Sequence, residues 1–332
     1  MFILSLLLLL ILIIFYFHFS IQFKKPKEPF DIYETTYESN EQINKLNTYK
    51  KPFLFKINNL CPLTFASYLN ELETIISLID MNNFYNNEKS ILELPLNKCI
   101  SITTYLPNYN CIGYIHSNEI DNWNTIIDEF NDILSPKGAF VSNKLGVMFG
   151  SINSHSIPEY HTQTSKYLIV LSGEITVKIT SIRNSERLDG KKFKQKIINS
   201  SNSFFTHFYS DTTNLWNNQN IKLKKIPFLE FNISNGYALS IPSYTVFTIS
   251  YNQPGTFVLT IDYINFINSI ANIWNWYNYK LFIYNNYNNI DDNNDIENNI
   301  YIENNTDIEN NIHIENNNIE KNNINIEDNL DK

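Results

Sequence analysis

Residues 160–180 read YHTQTSKYLIVLSGEITVKIT, and this stretch narrows the possible folds more than any other. Tyr167 to Leu171 is a nearly continuous apolar run, the pattern of a strand buried on both faces. Ile175, Val177 and Ile179 then alternate with Thr176, Lys178 and Thr180, the pattern of a strand with one wet face. Between them Ser172-Gly173 reverses the chain, using the backbone freedom of glycine. A hairpin of this kind commits its part of the chain to antiparallel β structure. One histidine, His161, stands just ahead of the first strand as a candidate metal position, and its worth depends on the company it keeps.

Two segments flank the β region. Met1 to Phe17 is apolar apart from Ser5, and no Lys, Arg, Asp or Glu precedes Lys24. That length suits a bilayer-spanning helix. The cationic start and small-residue cleavage site of a signal peptide are missing, so the expectation is an uncleaved anchor over residues 1–23. Lys24, Lys25 and Lys27 follow it and predict a cytoplasmic C-terminal side. At the other end, residues 285–332 consist almost entirely of Asn, Asp, Glu and Ile. Ile-Glu-Asn-Asn recurs from Ile296, Ile302, Ile308 and Ile314 without glycine or a capping element, and is read as a low-complexity, disordered tail.

The tail carries the charge. Of the chain's 34 acidic and 25 basic residues, 12 and 2 lie in 291–332, leaving 22 and 23 for the rest. A near-neutral folded part argues against nucleic acid as a partner. Cys61, Cys99 and Cys111 are few, odd in number and lack metal-ligand spacing, as expected of thiols in a reducing compartment.

Between anchor and tail, residues 24–51 read as a juxtamembrane linker and 52–284 as one domain. Phe53 to Ile57 is an expected strand. Phe65 to Met81 and Asp121 to Leu134 have helical apolar spacing, the second ending before Pro136. Ile91 to Thr104 alternates loosely and reads as a strand. After Gly138 the expected strands are Val147 to Phe149, Tyr167 to Leu171, Ile175 to Thr180, Lys222 to Lys225, Phe228 to Phe231, Tyr237 to Ile241, Thr245 to Tyr251 and Thr256 to Asp262. Short strands with Pro and Gly punctuation indicate a sandwich or jelly-roll barrel. Arg183 to Gln219 reads as a polar loop over it, and Ile264 to Ile283 as a closing helix with Trp274 and Trp276 packed beneath.

A non-haem iron site needs two histidines and one carboxylate with open positions left on the metal. His161 can fill the first place. Gln163, two residues on, is uncharged, and Gly236 to Tyr251 holds no histidine. A set of His161, His207 and Asp211 has no spacing signature and reads first as hydrogen-bonded surface groups. No nucleophile elbow or phosphate-binding glycine loop is present.

Tyr167-Leu168-Ile169-Val170-Leu171-Ser172-Gly173-Glu174 resembles the YLVLSGE strand-turn of cupins and cupin-like, Jumonji C-related domains. Gly236-Tyr237-Ala238-Leu239-Ser240-Ile241-Pro242, running on to Ile249, resembles their G-x-x-x-x-I-P-x-x-W-W-H strand. The likeness is greater still to the membrane-anchored cupin-like proteins of giant DNA viruses, which also carry an N-terminal anchor and a Trp-Asn segment like Trp216-Asn217. It covers about Phe53 to Ile283. The fold so implied is mainly β with flanking helices, a cupin-like double-stranded β-helix (jelly roll) preceded by one transmembrane helix. Carried over, His161 falls on the first metal position, Gln163 on the carboxylate and Phe247 on the distal histidine, so His161 is left as a degenerate metal position. The expectation is a single-pass membrane protein, viral or at a host membrane, with a non-catalytic structural or interaction domain, unidentified protein partners and no cofactor. The alternatives are an Fe(II)/2-oxoglutarate oxygenase with atypical ligands, and a small-molecule-binding barrel.

Overall fold

The computed structural model describes residues 2–22, 31–57, 74–85, 91–115, 123–137, 141–182, 206–208, 214–216, 226–273 and 277. Its elements begin with α1 (Phe2–Gln22), β1 (Tyr33–Thr36), α2 (Asn40–Thr48), β2 (Phe53–Lys56) and β3 (Ile75–Asp80). Next come α3 (Met81–Tyr85), β4 (Ile91–Pro95), α4 (Leu96–Tyr105), β5 (Tyr109–Ile115) and α5 (Trp123–Leu134). The β-rich half follows as β6 (Ser142–Gly150), β7 (Glu159–His161), β8 (Ser165–Ser172), β9 (Glu174–Ser181) and β10 (Thr206–Phe208). It ends with β11 (Leu229–Ser234), β12 (Tyr237–Ile241), β13 (Thr245–Tyr251), β14 (Phe257–Ile264) and α6 (Phe266–Ala271). All lie in one compact unit, Met1–Asn275.

Among the described residues the strands form a nine-stranded sheet, β1-β2-β12-β8-β14-β6-β5-β3-β4, and a five-stranded sheet, β10-β7-β13-β9-β11. Every pairing is antiparallel except β1 with β2. The main core lies between the sheets. Leu168 and Val170 of β8, Leu239 and Ile241 of β12 and Val258 of β14 meet Ile175, Val177 and Ile179 of β9 and Phe247, Ile249 and Tyr251 of β13. These residues recur every second position, so strand alternation selects them. A smaller cluster of Ile182, Leu215, Ile226 and Val246 covers the outer face of the five-stranded sheet. Leu215 and Trp216 of the long connection thus lie over that sheet, and Trp216 Nε1–H donates to Thr248 Oγ1 at 3.2 Å.

Several expectations meet a different outcome. Residues 31–51, read as a linker, contain β1 and α2, which with β2 make a small parallel β-α-β unit on the sheet edge. Ser39 caps α2 by accepting from the Gln42 N–H at 3.2 Å. Of the helix expected over Phe65 to Met81, residues 65–73 lie outside the described residues and Ile75–Asp80 is a strand, because β4 and β5 bond to its two edges. Ile91 to Thr104 divides after Pro95: β4 ends on it, and in α4 Leu96, Cys99, Ile102 and Thr103 are buried at helical spacing. Of the closing helix expected over Ile264 to Ile283, α6 covers Phe266–Ala271, and beyond it only residues 272, 273 and 277 are described. Lys222 to Lys225, Trp274, Trp276 and the tail lie outside the described residues.

The α1 backbone is helical over 21 residues. Its side chains are described at 5–13, 15–17 and 20, and Leu6 to Leu12 are each 53–60 % exposed. Among the described residues no helix is long and apolar enough to cross a membrane.

The β8–β9 reversal depends on Gly173, whose φ is +73°. A Cβ there would sit 2.9 Å from both Cα and Cβ of Thr256, whereas at Gly255, with φ +68°, it would meet open space. Both Gly→Ala changes carry left-handed strain of about 1 kcal/mol, but only Gly173→Ala adds a backbone clash. Chemical denaturation is expected to show Gly173→Ala losing about 1–3 kcal/mol more than Gly255→Ala; equal losses would show that the turn is not tightly packed.

Candidate functional site

At one end of the space between the sheets the apolar core gives way to a buried polar layer. β14 presents Val258 to the core, then Thr260 and Asp262 two and four residues on. β8 presents Leu168 and, two residues earlier, Lys166. Register places Lys166 and Lys144 directly opposite Asp262 on its two sides. From the other sheet β7 contributes Glu159 and His161, with Phe247 of β13 in register with Glu159.

Lys166 is the hub. Its Nζ lies 3.2 Å from Asp262 Oδ1 and 3.3 Å from Glu159 Oε1, with the lysine side chain 3 % exposed and both carboxylates 0 %. The Glu159 contact is an ion pair without hydrogen-bond alignment. Asp262 Oδ2 also accepts from Tyr114 Oη–H at 2.8 Å and from Gln163 Nε2–H at 2.9 Å. The ammonium lies 5.9 Å from the centre of the Phe247 ring. Burial opposes its charge, but the Asp262 and Glu159 carboxylates outweigh burial and raise its pKa. The two carboxylates therefore hold it as a cation. Burial raises the Glu159 carboxyl against the pull of Lys166, and it lowers Lys144 against the pull of Asp262.

His161 is fully buried, and burial followed by repulsion from Lys166 holds its pKa well below the usual imidazole value. The neutral ring's Nε2 lies 3.0 Å from the Ile241 carbonyl oxygen. A carbonyl only accepts, so Nε2 carries the proton and Nδ1 the lone pair. The Ile241 strand leaves this point through Tyr244, a bulky residue at φ +60°, whose N–H donates to the His161 carbonyl at 2.9 Å. Strain of this kind persists only where the surroundings over-determine it.

Register separates the other candidates. Thr206 stands opposite His161, whereas His207 stands opposite Tyr160, one residue off. Asp211 is outside the described residues. The three positions of the iron pattern, His161, Gln163 and Phe247, do converge on this layer, but they do not fit a divalent cation. One offers an imidazole whose Nε2 is engaged, one an amide donating to Asp262, and one a phenyl ring, with the Lys166 ammonium among them. Among the described residues no group of three or more His, Cys, Asp or Glu is placed to hold a metal.

Sequence reasoning passed over Glu159, Lys166 and Asp262. A signal was present: Asp262 interrupts the apolar run FVLTIDYI on the same parity as Val258, and a carboxylate in a strand that buried requires a partner. No protein-family model matches the chain, and comparison with curated proteins finds no match.

Lys166→Met leaves two buried carboxylates without their cation and is expected to cost about 3–5 kcal/mol at neutral pH. Because the Glu159 pKa is raised in the fold, protonation should relieve part of that cost. The gap to wild type in denaturant melts is therefore expected to be smaller at pH 5 than at pH 8, and a pH-independent gap would refute the ion network.

On the outer face, burial and then Lys178 hold His155 down to about 4, below its ordinary 6.5. A depressed folded pKa contributes stability that is present above about 6.5 and lost as pH falls towards 4. His155→Gln is expected to flatten this acid limb of the melting temperature, and an unchanged limb would show that His155 does not titrate with unfolding.

Proposed function

We propose that the chain is a single-pass, membrane-anchored protein. Its C-terminal domain is a cupin-like double-stranded β-helix that performs no iron chemistry and serves as a structural or interaction module. The observation that carries this reading is the position of Lys166. An internal cation, balanced by Glu159 and Asp262, lies among the positions that an iron(II) site of this fold would use. A dication placed there would face the ammonium, and none of the three side chains, the neutral His161, Gln163 and Phe247, offers it a negative charge.

The anchor reading draws on α1. Its 21 residues correspond to about 31 Å of helix, close to a hydrocarbon thickness of about 30 Å. Lys24, Lys25 and Lys27 favour a cytoplasmic domain. The sequence resemblance makes a host or virion membrane the setting, and the near-neutral folded part favours a protein over a nucleic acid as the partner.

Full-length protein purified in detergent is expected to carry far less than one equivalent of iron and to leave 2-oxoglutarate unconsumed. Stoichiometric iron, with turnover lost in His161→Ala, would overturn the non-catalytic reading. Alkaline carbonate extraction is expected to leave the chain in the membrane pellet, and its release would refute the anchor.

A further inference from the structure

A second polar feature lies outside the buried layer. A groove of about 800 Å³ runs between α2, residues 136–137 and the start of β8, and its lining includes Lys45, Lys50, Lys137, Thr164 and Ser165, with Glu41 the one carboxylate among its described lining residues. Lys137 pairs with Glu41 at 2.9 Å, but both are exposed, 68 % and 81 %. Such a pair holds its partners weakly and leaves them open to other charges. Lys50 takes the left-handed conformation, φ +53°, and its Nζ donates to Ser243 Oγ at 3.1 Å. A neighbouring groove of about 670 Å³ shares Lys45 and adds Lys51, Tyr33 and Tyr49 against Asp31. The two tyrosines are 54 % and 59 % exposed.

This face adjoins the anchor. The Asn265 N–H, at the N-cap of α6, donates to Thr164 Oγ1 at 3.3 Å, and Thr164 lines the lysine groove. α6 in turn packs against α1. Only residues 23–30 separate α1 from the described part of the domain, a reach of at most about 29 Å. Lysines beside exposed tyrosines match a membrane interface, with cations for anionic headgroups and amphipathic rings for the headgroup layer.

We infer that the α2 face, centred on Lys45, Lys50 and Lys137, docks on the anionic phospholipid surface of the membrane that holds α1. This rests on the anchor reading. Docking within a Debye length of about 8 Å at physiological salt makes it salt-sensitive.

The test uses the full chain reconstituted in nanodiscs, either phosphatidylcholine alone or with phosphatidylserine added, and lysine acetylation followed by mass spectrometry. Lys45 and Lys137 are expected to react about fivefold more slowly in the anionic discs, with protection lost in high salt and in Lys45→Glu. Lys98, on α4, is expected to react alike in both. Incorporation with equal reactivity at Lys45 and Lys137 would overturn the docking and leave the anchor standing. Protection by millimolar inorganic phosphate in neutral discs, as strong as that by phosphatidylserine, would also overturn it by identifying a soluble-anion site. A chain that stays out of both kinds of disc would remove the anchor and the inference together.

Discussion

The two sheets are joined at one end by a buried charge. Lys166 belongs to the larger sheet with Asp262, and Glu159 to the smaller, so the ammonium ties the layers across their interface. Removing an ammonium and carboxylates from water carries a penalty that only close geometry and additional hydrogen bonds offset. Asp262 meets that condition with donors from Tyr114 and Gln163. Glu159 meets it less well, which is why its carboxyl is drawn towards the neutral form. The arrangement adds little to stability compared with an apolar layer of similar shape. It does fix the separation and register of the sheets, because a one-residue slip of β8 would turn Lys166 to the opposite face.

The same cation organises its surroundings. Burial first, and then this cation, holds His161 in the neutral form, and the neutral ring settles on the Ile241 carbonyl. The backbone of His161 holds the strained Tyr244 turn. Charge balance, tautomer and turn are thus linked. A change at Lys166 alters the balance on which His161 rests, so substitutions in this layer are expected to couple and not to add.

Much of the β-rich half was legible in the sequence, for a physical reason. β8, β9, β12, β13 and β14 alternate with period two or run apolar between Gly and Pro punctuation, and such patterns have few competing explanations. Ile75 to Asp80 was not legible, since Leu72, Ile75, Ile76 and Ile79 satisfy helical spacing. The choice of strand is made by β4 and β5, which no local pattern reveals. Residues 31–51 looked polar and aperiodic because β1 is an edge strand, mostly exposed. In the site, His161 was visible by type and place. Glu159, Lys166 and Asp262 were not recognised because ion pairing across sheets is a relation between distant residues, visible locally only as a charge where none should be buried.

The edge formed by β1 and β2 has a consequence for how the chain is made. β2 pairs Phe53 with Ser240 and Lys56 with Tyr237, partners that leave the ribosome long after it. At 5–20 residues per second, synthesis of the intervening stretch takes on the order of ten to forty seconds. During that interval Phe53, Leu54 and Phe55, all buried in the finished fold, lack the β12 strand that pairs with them. The sheet therefore closes late, from both ends of the sequence, and the nascent N-terminal segment must be kept from wrong partners until translation reaches Ser240.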